Sequence, residues 1–109
     1  MNGHDQIIFV PPWEALQTEG ERLGLQRQLQ LEVTPGHPLW GRNAQVVGRS
    51  GANDDVVATT SDGGFAIVHL VWESSPGDEK CPATSFFSTV RELSDAMRAW
   101  SIEAGFLDD

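Results

Sequence analysis

Phe65-Ala66-Ile67-Val68-His69-Leu70-Val71-Trp72-Glu73 is the stretch whose reading decides the fold. As a strand it puts Ala66, Val68, Leu70 and Trp72 on one face and Phe65, Ile67, His69 and Val71 on the other. Both faces are largely apolar, the pattern of a strand covered on both sides. Helices are expected on one of those faces. The N-terminal segment, a long loop or a second copy of the chain is left to cover the other, so a homodimer is among the expectations.

Working backwards, Ser61-Asp62-Gly63-Gly64 carries the Asp-Gly signal of a tight hairpin. It predicts a partner strand over residues 55–60. Ser50-Gly51-Ala52-Asn53-Asp54 then separates that strand from another over 43–49. Connections this short imply an antiparallel meander. Gly36-His37-Pro38-Leu39-Trp40-Gly41 reads as a turn-rich connector in front of it.

Further back, residues 21–33 fit two periods. Leu25, Leu29, Glu32 and Val33 have helical spacing, while Leu29, Leu31 and Val33 alternate as in a strand. Helix is preferred, because Leu, Gln, Glu and Arg fill the segment and no β-branched residue precedes Val33. Its start is either Pro12-Trp13, with a helix opening over 13–16, or the Thr18-Glu19-Gly20-Glu21 capping box. Thr34-Pro35-Gly36 ends it. Residues 1–12 show no clear period and read as a flexible stretch or an extra edge segment.

Beyond the deciding stretch, residues 74–85 read as a long loop with a functional suspicion attached. A C-terminal helix follows. Thr89 with Glu92 forms its capping box, and Ser88 is an alternative cap. Val90, Leu93, Met97 and Trp100 form its apolar stripe. Gly105 suits the position past its end, with Phe106 placed to fold back. The expectation is one α+β domain over 1–109: a three- or four-stranded antiparallel sheet with an N-terminal and a C-terminal helix packed on it.

Bulk numbers exclude several classes. The chain has 109 residues, 39% of them apolar, so one domain with a modest core is expected. A single cysteine, Cys81, rules out an internal disulfide, and with three scattered histidines it makes no zinc spacing. Ile7-Ile8-Phe9-Val10 is too short to span a bilayer, and Asp5 stands where a signal peptide would carry a basic residue. No membrane association and a cytoplasmic location are therefore expected. Sixteen acidic against 7 basic residues leave a net charge of −9, which repels phosphate backbones. No nucleic-acid binding is expected. The same charge can steer a basic protein partner, or serve solubility alone.

Gly36-His37-Pro38-Leu39, Asp54-Asp55-Val56-Val57 and Val68-His69-Leu70-Val71-Trp72 together resemble a group of small uncharacterised bacterial proteins. Their pattern runs G-H-P-L, then D-D-V-L, then V-H-L-T-W, then W-P-x-T. Here Val57 replaces Leu, Val71 replaces Thr, and Cys81-Pro82-Ala83-Thr84 replaces the Trp-Pro start. The resemblance covers residues 36–84 and implies a shared frame without an activity.

Four residues are candidates for chemistry: His37, Asp54, Asp55 and His69. Two imidazoles and a carboxylate can do acid–base work near neutral pH, or bind a divalent metal through N and O. Adjacent residues of a strand point to opposite faces, so at most one of Asp54 and Asp55 can share a pocket with His69. The structural alternative is equally concrete. Asp54 suits an Asx-turn, His37 can hold its connector by hydrogen bonds, and His69 can be a satisfied core residue. Trp40 and Trp72 could line a binding groove or fill the core. Cys81 beside Lys80 is a possible low-pKa thiol with no base placed by the sequence. Gly48-Arg49-Ser50-Gly51 and Asp62-Gly63-Gly64 lack the lysine and spacing of phosphate loops. No cofactor and no metal is expected. The favoured function is a protein-binding module of adaptor or immunity type. The alternative is a hydrolase-like or metal-dependent activity on His37, His69 and one of the two aspartates.

Overall fold

The computed structural model describes residues 7–72 and 82–108. Its chain runs β1 (Trp13–Ala15), α1 (Glu19–Glu32), β2 (Gln45–Ser50), β3 (Asp55–Thr59), β4 (Phe65–His69), β5 (Ala83–Phe87) and α2 (Val90–Glu103). The class is α+β, as expected, but the sheet has five strands rather than three or four. They lie in sequence order, β1-β2-β3-β4-β5, and every neighbouring pair is antiparallel.

The two extra strands are the edges. Trp13-Glu14-Ala15 is a strand, not the helix opening that Pro11-Pro12 suggested. Its three residues pair with Ser50, Arg49 and Gly48, and Gly51 N–H donates to the Pro12 carbonyl at 2.8 Å. β5 occupies the end of the expected loop and pairs Ala83 with His69 and Phe87 with Phe65. Residues 74–81 of that loop, Lys80 and Cys81 among them, lie outside the described residues.

Alternation along β3 and β4 divides the core in two. Val56 and Val68 face one side with Val46 and Ala66, packing on Leu25 and Leu29 of α1 and on Leu39 and Leu70. Val57 and Phe65 face the other, packing on Leu93 and Met97 of α2 and on Trp13. The helices thus cover opposite faces, not the same one. Ile7, Phe9 and Val10 add to the α2 side. The doubly apolar strand is therefore covered within one chain.

Both capping boxes form. Thr18 Oγ1 accepts from Glu21 N–H and Thr89 Oγ1 from Glu92 N–H, each at 3.1 Å. The two glutamates reach back to the amides of Gln17 and Ser88. Helix is the correct reading of residues 21–32. Gln26 ties α1 to the sheet, donating to the Ala44 carbonyl and accepting from Val46 N–H, both at 2.8 Å. Past α2, Gly105 takes φ +89° and Phe106 stacks on Trp100 with ring centroids 6.0 Å apart.

The β3–β4 hairpin turns at Gly63, φ +88°. Asp62 closes it by accepting from the Thr60 hydroxyl and from Gly64 N–H. Those bonds, the hydroxyl first, and the nearby Arg42 hold its carboxyl below the usual range. No helix among the described residues is long and apolar enough to cross a membrane.

Candidate functional site

The chemistry-bearing residues gather at the end of the sheet where β3 begins and β4 ends. Asn53 prepares the entry: its side-chain oxygen accepts from Asp55 N–H at 3.0 Å. This is the Asx-turn expected of Asp54, made one residue earlier. Asp54 is exposed, and its carbonyl accepts from Leu70 N–H at 3.1 Å. Asp55 pairs with His69 across the two strands, with Oδ1 2.7 Å from Nδ1. The Asp55 side chain is 14% exposed and the His69 side chain 50%. Of the two aspartates, then, it is Asp55 that meets His69.

His37 works elsewhere. It is buried, its Nδ1 accepts from Leu39 N–H at 3.0 Å, and its Nε2 lies 2.8 Å from the Pro82 carbonyl. A carbonyl only accepts and an amide N–H only donates, so the ring is the neutral Nε2–H tautomer. Both nitrogens are engaged in joining the 34–42 connector to the entry of β5. Among the described residues His37 shares no partner with Asp55 or His69.

An aspartate holding one imidazole nitrogen is how enzymes orient a general base. Here no other described side chain is hydrogen-bonded to His69. No group of three or more metal-binding side chains occurs among the described residues.

The two candidate tryptophans are both half exposed. Trp40 follows buried Leu39 in the connector and borders a cleft of about 160 Å³ lined also by Leu29, Val33 and Ala44. Trp72 lies beside the aspartates, where it shares a shallow depression with Arg49, Asn53, Asp54 and Asp55. That depression holds only about 10 Å³, no more than a single water needs.

Trp72 has φ +58°, a left-handed conformation that costs a bulky residue about 1–2 kcal/mol. Its amide and that of Val71 donate to Glu32, at 2.9 Å to Oε2 and 2.8 Å to Oε1. Gln28 adds a third bond to the same carboxylate at 2.6 Å. Glu32 is fully buried in the last turn of α1. Sequence reasoning counted Glu32 among the helix-face residues and gave it no role. The signal was there: a carboxylate three and seven residues beyond Leu29 and Leu25 sits on the apolar stripe.

In comparisons with known proteins, no family model, no curated protein and no solved structure matches the chain.

Proposed function

We propose that this chain is a protein-binding module that takes a basic partner through Trp72 and the Asp54-Asp55 turn. One observation carries the reading. A half-exposed tryptophan is held in a left-handed backbone conformation beside the Asp54-Asp55 turn, over a depression of only about 10 Å³. Strain kept at an exposed aromatic is a sign of presentation. An indole next to the exposed Asp54 suits a lysine or arginine side chain, with the ring face worth about 0.5–2 kcal/mol to the cation. The net charge of −9 would steer such a partner in.

The experiment is affinity capture from native extract, read by mass spectrometry. The baits are the wild type, Asp54→Asn/Asp55→Asn and Trp72→Gly, each checked for folding by circular dichroism. One dominant basic partner that both variants lose supports the reading. A partner kept by both variants, or none for any bait, overturns it.

The Asp55–His69 pair favours a second reading, a hydrolase-like activity with His69 as general base. Its test is hydrolysis of a panel of simple esters by wild type and His69→Gln. Equal rates for the two proteins would end it.

A further inference from the structure

We infer that Glu32 is the positioning residue of Trp72: its buried carboxylate, and not the local sequence, holds residues 71–72 in the left-handed conformation that presents the indole. The inference deepens the partner reading and takes its purpose from it.

The sequence around residues 71–72 gives no local reason for a left-handed residue. Val71 and Trp72 are β-branched and aromatic, types that favour extended backbone. Neither residue is a glycine or an asparagine, either of which would lower the cost. What the pair does have is two consecutive amides aimed at one carboxylate. Successive N–H groups of this kind make an anion-binding concavity. Here the anion belongs to the chain itself and arrives from a helix 40 residues earlier.

Glu32 is also poorly placed for stability alone. It lies in the last turn of α1, where the negative end of the helix dipole disfavours a carboxylate. It is fully buried, and its three donors among the described residues are neutral amides. Burying a carboxylate without a paired charge is costly. An apolar residue would complete the stripe of Leu25 and Leu29 at lower cost. A carboxylate kept there has its explanation in the two backbone amides it holds.

The test uses the full chain and no partner. Denaturant unfolding is measured for Trp72→Gly and Trp72→Ala, each with Glu32 and with Glu32→Gln. With Glu32 present, position 72 is held left-handed, so the glycine variant has a folding constant roughly 5- to 30-fold above the alanine variant. With Glu32→Gln the advantage falls to parity or reverses, because a released backbone no longer favours glycine. A second measurement reads the wild type directly. The Val71 and Trp72 amides lie outside any strand, so their hydrogen-exchange protection reports the carboxylate. In Glu32→Gln that protection is lost while α1 and β4 amides keep theirs. A glycine advantage unchanged by Glu32→Gln overturns the inference, as does the absence of that advantage with Glu32. So do wild-type amides at 71 and 72 that exchange as fast as an open loop, a result that stands even where Glu32→Gln fails to fold. Success here with no captured partner would sink the binding reading and leave the clasp intact.

Discussion

Two single residues, His37 and Glu32, do at long range what their positions in the chain do not advertise. His37 was a candidate for acid–base work. Its neutral ring instead spans from Leu39 N–H to the Pro82 carbonyl, 45 residues away. His37→Ala strands a buried donor and a buried acceptor, and is expected to cost about 2–4 kcal/mol in urea unfolding. A loss under about 0.5 kcal/mol would mean that neither group depends on the ring. The candidate list was partly legible. Asp55 and His69 meet because they are register partners on β3 and β4, a register the expected meander left open. Asp54 stands just before β3, exposed, and it is Asp55 that falls in register with His69. Glu32 was not legible as a site, because its partners are backbone amides, which carry no sequence signal.

At the scale of elements, the N-terminal segment joins α2 in covering one face of the sheet. Gly48 lies in β2 at the register shift between Val46 and Gly48, and Phe9 packs over the space a side chain would fill. A Cβ there would overlap the Phe9 ring and sit 3.0 Å from the Glu14 carbonyl oxygen. Gly48→Ala is therefore expected to push Phe9 off the sheet and destabilise by about 1–3 kcal/mol. Thermal unfolding checks it, and a stability equal to wild type would show the Phe9 contact to be worth nothing. The helices were readable from Thr18 and Thr89 with their glutamates three residues on. The edge strands were not. β1 has three residues behind two prolines, and the sequence of β5, Ala83-Thr84-Ser85-Phe86-Phe87, lacks a clean apolar alternation. Each is a strand only because a neighbouring strand supplies the ladder.

For the molecule as a whole, the charge of −9 and the exposed tryptophans make different demands on a partner. If carboxylates lead the contact, raising the salt from low to several hundred millimolar weakens it at least tenfold, mainly through slower association. Surface plasmon resonance with the captured partner measures this. Affinity that holds or rises with salt would shift the contact to the apolar cleft beside Trp40. What the sequence determined by itself lies within short reach. It comprises two capped helices, the Asp62-Gly63 hairpin, the meander through β2, β3 and β4, and the α+β class. Side chains within four positions, or a simple period, point to each of these, although residues 21–33 also fitted a strand period until composition tipped the reading to helix. The tertiary structure alone decided which face each helix covers, the two edge strands, the His37–Pro82 link and the Glu32 hold on Trp72. Those rest on contacts between residues tens of positions apart. The entropy of bringing such residues together is met only by the whole core forming at once, and no local stretch of sequence records that sum.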